Sequence, residues 1–360
     1  MQNIRLPFGV VSLALCFLVA PLLVNAIEVR PEDFGAVVND GLDDTAAIQA
    51  AANKIFERGG GTILFPSGKL EIRGTVRFVP KGYVGADVML KGNRGSVIEV
   101  SAGEYGIPFY GGNLNSWIFE DLTIIGKNVA PGDPAFYDAA WVVYSSYVQQ
   151  TTISRCQFYG LAVRSDRSIV YLGYTDARIT DTQFDGSLGE YPSGAVVMAE
   201  NASGLTVTRS TFLDYANFAG VHLSKSPVYT GAWIWIKGGQ DHDATGQRRF
   251  VVEDSRFDEG AAAAIRVENA SWARITGISV NVNGADPGIG MHLKNVGHAT
   301  VGQSWFGYTT QIRPALSVDN VEALEVNSLK FGGGVYFMNK RGPGIVDIKN
   351  CSQCRLTKSR

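Results

Sequence analysis

One spacing recurs along this chain and restricts its fold more than any other feature. An aliphatic residue is followed three positions later by a small or apolar one, and two beyond that by a large apolar one. It reads Ile153-Cys156-Phe158, Ile179-Thr182-Phe184, Val207-Ser210-Phe212, Val252-Ser255-Phe257, Ile275-Ile278-Val280, Val301-Ser304-Phe306 and Val326-Leu329-Phe331, with Phe119-Leu122-Ile124 as an earlier member. A period of roughly 25 residues marks a solenoid: one repeat cannot bury its own apolar face, and stacking many creates a continuous core. Six residues before the aliphatic position stand Asn113, Asn201, Asn269, Asn295 and Asn320, Asn350 stands six before Leu356, and Gly173 falls there too. Asn and Gly tolerate a left-handed backbone at a tight corner, so this register predicts a turn whose Asn amides stack from coil to coil. Tyr147 breaks the pattern, and its coil is expected to turn differently.

Ahead of the turn the residues alternate, as in Ile265-Arg266-Val267-Glu268, Met291-His292-Leu293-Lys294 and Leu316-Ser317-Val318-Asp319. Period-two alternation is a strand with one face in the core and one in water. Each coil thus reads strand, Asn turn, strand, small-residue bend, strand, variable loop. The expected fold is all-β: a single-stranded right-handed parallel β-helix, its hand following the crossover preference. Thr45 to Glu57 carries Ile48, Ala51, Ala52 and Ile55 at helical spacing, with Asp43 or Asp44 placed to cap. This N-terminal helix is expected to cover the first coil, whose edge would otherwise pair with another chain.

Residues 1–26 read as a signal peptide, with Arg5 in the positive region, an apolar stretch from Val10 to Val24, and Val24-Asn25-Ala26 as a cleavage site. Residues 27–360 then form one β-helix domain, of which 27–68 are the cap and first strands. Residues 226–247 read as an inserted loop, because Gly220-Val-His-Leu223 resembles Gly290-Met-His-Leu293 while its partner strand starts only at Val252. Losing Arg5 moves the formal charge from −2 to −3. No basic stripe invites nucleic acid, and no later segment approaches a membrane span, so the mature chain is expected to be exported, to the periplasm or beyond. Cys351-Ser-Gln-Cys354 lacks the helix start of a redox motif and the further ligands of a zinc site, which leaves a small local disulfide or two inert thiols.

The alternating strands predict two outward columns. One runs Met198, His222, Arg266, His292, Ser317, Asp347, and the other Glu200, Ser224, Glu268, Lys294, Asp319, Lys349. His222, Arg266 and His292 should form one ladder, with Glu268 and Lys294 alongside. Two chemistries suit these groups. In β-elimination on a uronan, Arg266 or Lys294 neutralises the carboxylate and a neutral His takes the C5 proton. Glycoside hydrolysis needs two carboxylates, for which Glu200 with Glu268, or Glu268 with Asp319, lie two coils apart at about 9.6 Å. Trp233, Trp235, Tyr229 and Trp272 would stack on sugars, and the loop run Asp241-His242-Asp243 adds polar contacts. A solvated, charge-laddered face is the structural alternative. His298 is read as a turn residue.

The stretch Asp33-Phe34-Gly35-Ala36, Asp40-Gly41, Asp43-Asp44-Thr45-Ala46-Ala47-Ile48-Gln49-Ala50-Ala51, Gly59-Gly60-Gly61 and Phe65-Pro66-Ser67-Gly68 resembles the N-terminal signature of the pectate lyase superfamily, which includes polygalacturonase-like hydrolases and phage tailspike depolymerases. The resemblance implies the β-helix and a polysaccharide ligand. It implies less about reaction, because that scaffold hosts lyases, hydrolases, epimerases and non-catalytic binders. The polygalacturonase catalytic blocks are absent, with only Gly297-His298-Ala299 as a fragment. The calcium-dependent lyases' aspartate cluster is missing too. No motif requires a metal; a calcium ion stays open, as do the sugar and the oligomeric state.

Overall fold

The computed structural model describes residues 27–82, 85–101, 107–126, 141–163, 167–185, 188–189, 194–213, 231–238, 248–258, 263–282, 289–308, 314–332 and 346–357. The expected signal peptide, His222, Ser224, Tyr229 and Asp241-His242-Asp243 lie outside these residues.

Every named strand pairing is parallel and joins equivalent positions of successive coils, as in Ile153↔Ile179 and Phe158↔Phe184. Three faces result. The first carries strands such as Trp141–Ser146, Ser168–Gly173 and Ala195–Glu200. The second carries Gln150–Ser154 and Asp176–Thr180, and the third is a 10-stranded sheet containing Gln157–Tyr159 and Gln183–Asp185. Parallel strands joined by this repeating crossover wind into a right-handed β-helix.

The inward positions of the repeat supply the core. Phe158, Phe184, Phe212 and Phe257 stack coil on coil, with ring centroids 4.8, 4.9 and 4.9 Å apart. Each such buried side chain contributes about 1.5–3 kcal/mol. The small position is polar for a reason the spacing alone hides. Ser210 Oγ accepts the amide of Thr182 one coil before and donates to the carbonyl of Thr208, and Ser255 Oγ does the same for Ser210 and Glu253. At these bends a buried hydroxyl therefore satisfies an amide that would otherwise be orphaned.

The first turn is left-handed at Asn113, Asn201, Asn269, Asn295, Asn320 and Asn350, with φ between 52 and 57°. Asn295 Nδ2 donates to Asn269 Oδ1 and Asn320 Nδ2 to Asn295 Oδ1, both at 2.8 Å, so the amide ladder forms there. Elsewhere the stacking differs: Asn350 reaches Asp319 instead. Tyr147 makes the same left-handed turn (φ 57°), and its neighbour in the column is Tyr174 (φ 51°), not Gly173. The two rings stack at 4.7 Å. Gly173 is small for another reason, because a Cβ there would lie 2.8 Å from the Tyr171 ring.

The helix spans Thr45–Phe56 and buries Ala47, Ile48, Ala51, Ala52 and Ile55 on the first strands. Asp43 Oδ1 takes the Thr45 amide, while the buried Asp44 carboxylate accepts the amides of Val37 and Glu71 and so ties the cap to the first coils. Cys351 and Cys354 form a disulfide. Cys156 is free, and burial pushes its thiol up to about 12.

Beside the Tyr147 turn, two further sequence expectations fail here. Ala232–Lys237 is not part of an inserted loop but the first-face strand of its own coil, pairing with Ala195–Glu200 on one side and the strand bearing Ile265 and Arg266 on the other. The reason is that its residues Trp233, Ile234 and Ile236 fill the core positions that the neighbouring coil fills with Val196, Val197 and Ala199. His298 is a strand residue, within Ile289–Gly302, which runs through the Asn295 turn without a break.

Candidate functional site

Strand register assembles one continuous outward column on the first face. It runs Arg77, Tyr110, Tyr144, Tyr171, Met198, Trp235, Arg266, His292, Ser317, Asp347. Two residues further along each strand, Glu200, Lys237, Glu268, Lys294, Asp319 and Lys349 form a second column. The ladder of Arg266 with His292, flanked by Glu268 and Lys294, is therefore formed. The place expected for His222 beside Arg266 belongs to Trp235, and that expected for Ser224 belongs to Lys237.

The N-terminal part of the column is aromatic. Arg77 lies over Tyr110, Tyr110 stacks on Tyr144 (5.2 Å, 5°), and Tyr144 stacks on Tyr171 (4.7 Å, 8°). Trp141 meets both Tyr144 and Tyr171 and is covered by the Arg167 guanidinium. These rings turn their faces to one another, so what they offer a ligand is edges and hydroxyls. Tyr171 donates to Glu200 Oε2 at 3.1 Å. Burial, then the Glu200 charge, holds the Tyr171 phenol far above its ordinary range. This stretch was not anticipated from sequence, although a signal exists: Tyr110, Tyr144 and Tyr171 each stand three residues before a left-handed turn residue, as do Arg266 and His292.

The C-terminal part is charged. The Arg266 guanidinium lies 4.0 Å from the Trp235 ring centroid and donates to Glu268 Oε1 at 2.8 Å. Lys237 Nζ lies 4.1 Å from the same ring. His292 follows on the next rung, its Nδ1 3.3 Å from Ser317 Oγ. Its pKa is lowered, by burial first and then by the Arg266 charge, so the imidazole is neutral at physiological pH. The opposing pulls of Glu268 and Asp319 are weaker than Arg266, and Lys294 pushes the same way as Arg266.

The aromatic expectations need correction. Trp233 is 1% exposed and points into the core, so it cannot meet a sugar. Trp235 faces outward but is 7% exposed, packed with Ala195, Met198, Ala232 and Tyr171. Trp272 lies on the second face, between Arg249 and His298, away from both columns. Among the described residues no group of three His, Cys, Asp or Glu side chains is placed to hold a metal ion, and no helix is long and apolar enough to cross a membrane.

No protein-family model and no curated protein matches the chain in sequence. Solved structures do resemble it. The ORF18 protein of Geobacillus virus E2 aligns over 93% of this chain and 61% of its own, at 14% identity and TM-score 0.50. Tailspike protein 3 of bacteriophage CBA120 aligns over 92% and 57%, at 13% identity and TM-score 0.49. The A-module of a mannuronan C-5 epimerase from Azotobacter vinelandii aligns over 92% of this chain and 100% of its own, at 15% identity and TM-score 0.42. The chain thus spans about three fifths of the two viral proteins. The likeness shows the fold, a right-handed parallel β-helix.

Proposed function

We propose that this chain is an exported protein that binds an acidic polysaccharide along its first face and acts on it by β-elimination or C5 epimerisation. The observation that carries the reading is the run Trp235, Arg266, His292 with Lys294 alongside: a neutral imidazole held among fixed cations on an open strand face. Both reactions begin by removing the proton on C5 of a uronate ring, which is acidified when the C6 carboxylate is neutralised. Arg266 and Lys294 supply the positive charge. His292 is the base, because its neutral form predominates at working pH and Ser317 orients its Nδ1 side. In elimination the electron pair left on C5 expels the C4 oxygen and an unsaturated ring results. In epimerisation a proton returns to C5 from the opposite side.

Hydrolysis is the second reading, through Glu200 with Glu268 or Glu268 with Asp319. The register does place each pair two rungs apart. It is disfavoured because Glu268 already accepts from Arg266 and Glu200 from Tyr171, so neither carboxylate stands free to handle a substrate proton. A non-catalytic binding role on the same face is the remaining alternative. Asp241, His242 and Asp243, and His222, are kept as further contacts to be probed by substitution.

The test is incubation with a panel of uronans, following unsaturated product by absorbance, reducing ends in parallel, and deuterium uptake at C5 in heavy water. New reducing ends without unsaturation point to hydrolysis, and deuterium uptake without chain cleavage points to epimerisation. No signal from any assay, with binding retained, refutes catalysis and leaves a binder.

A further inference from the structure

We propose that Lys237 and Lys294 form a two-point site for two anionic groups of one saccharide chain, spaced by two rungs of the helix. This rests on the first face being a saccharide track, and it adds the charge spacing that the ligand must carry.

The second outward column alternates in sign over Glu200, Lys237, Glu268, Lys294, Asp319 and Lys349. If the column served stability alone, its neighbours would close as cross-strand ion pairs. They do not. Glu200 is taken by the Tyr171 hydroxyl (3.1 Å), Glu268 by Arg266 (2.8 Å) and Asp319 by the Asn350 amide (3.3 Å), while Lys349 pairs with Asp347 (3.6 Å). Among the described residues no carboxylate lies within 4.0 Å of the Lys237 or Lys294 ammonium. Lys237 is instead drawn along its own strand onto the Trp235 ring, and Lys294 is exposed.

Among the described residues, two ammonium groups without acid partners therefore flank the Arg266–Glu268 pair, one rung on either side. Strand spacing puts their rungs about 9.6 Å apart, close to the length of two linked pyranose rings. A chain that carries an anionic group on the same side of every second ring would place one group on each lysine. The intervening part of the chain would lie over the Arg266–Glu268 pair. A neutral glycan gains nothing from this arrangement, and a single charged monosaccharide reaches only one lysine.

The experiment is calorimetric titration of the full chain with uronate oligomers of increasing length, with sulfated oligomers and with neutral glucan oligomers of the same lengths. Affinity should step up by about tenfold or more at the length that first spans both lysines. Lys237→Gln or Lys294→Gln should each abolish the step. The double variant should be little worse than either single one, and Lys237→Arg should keep the step. A step in the uronate or the sulfated series supports the site and tells which anion it reads. Affinity that is independent of length, a step that survives Lys237→Gln or Lys294→Gln, or no binding to any anionic oligomer would overturn it. The two readings fail separately: an inert protein that keeps the step refutes the catalysis, and turnover without the step refutes the two-lysine site.

Discussion

The coils bearing Tyr110, Tyr144 and Tyr171 and those bearing Arg266, His292 and Ser317 share one face, one register and one left-handed turn, yet their outward positions do different things. In the first stretch the rings satisfy each other, 4.7 to 5.2 Å apart, and the Tyr171 hydroxyl is spent on Glu200. In the second stretch Arg266 is half committed, to Trp235 and Glu268, while His292 is neutral and, among the described residues, neither Lys237, which lies on the Trp235 ring, nor Lys294 has an acid partner. The inward residues carry the core in both, so the outward ones can differ between coils without changing the fold. A self-satisfied wall and a chemically open one can then stand a few rungs apart on the same scaffold.

Substitutions in the two stretches should separate stability from activity. The largest effect is expected from His292→Ala: turnover should fall by on the order of 10²–10⁴ with an unchanged melting temperature. Tyr144→Ala should do the opposite, lowering the melting temperature while sparing turnover per folded molecule. An active His292→Ala protein would move the reactive centre off this column.

Beneath the aromatic stretch, Phe184→Ala should cost about 3–5 kcal/mol in denaturant unfolding, because it empties the middle of the phenylalanine stack. Gly173→Ala should cost less, about 1–3 kcal/mol, by forcing a Cβ against the Tyr171 ring. Combined with Tyr171→Ala, its penalty should largely vanish, and a penalty that persists would place the strain elsewhere.

The smallest effect is in pH dependence. His292 has a folded pKa below its unfolded value, so the unfolded chain binds more protons between the two. The stability penalty is absent above about 6.5, grows as pH falls, and is complete below the folded pKa. The acid limb of activity should accordingly lie below that of an ordinary histidine. Arg266→Gln removes a charge that lowers this pKa, so it should move the limb upward. An unmoved limb would separate Arg266 from His292.

Much of this was legible in the chain. Ile153-Cys156-Phe158 and its repeats mark inward positions, and a core stacked on itself must present the same residue type at the same offset in each coil. The Asn column was legible because few other residues sit in a left-handed turn without strain. Tyr147 and Tyr174 do sit there, supported by each other's rings, a compensation between residues in different coils that no local pattern displays. Trp233-Ile-Trp235-Ile-Lys237 reads as loop because Gly220-Val-His-Leu223 resembles the neighbouring strand Gly290-Met-His-Leu293 more closely, and because both faces of the true strand are apolar. Trp233 goes to the core, while Trp235 is covered by its outer cluster and by two cations, so the polar half of the alternation is missing.

By itself the sequence determined the coil, its turns and which residues point inward, because these depend on local backbone preference and on a burial pattern that every coil repeats. Only the tertiary structure decided which outward residues meet. Tyr171 reaches Glu200 across 29 positions, and Trp235 rather than His222 meets Arg266. Loops of unequal length separate the rungs, and the hydrogen-bonded register between neighbouring strands, not the distance along the chain, brings their side chains into contact.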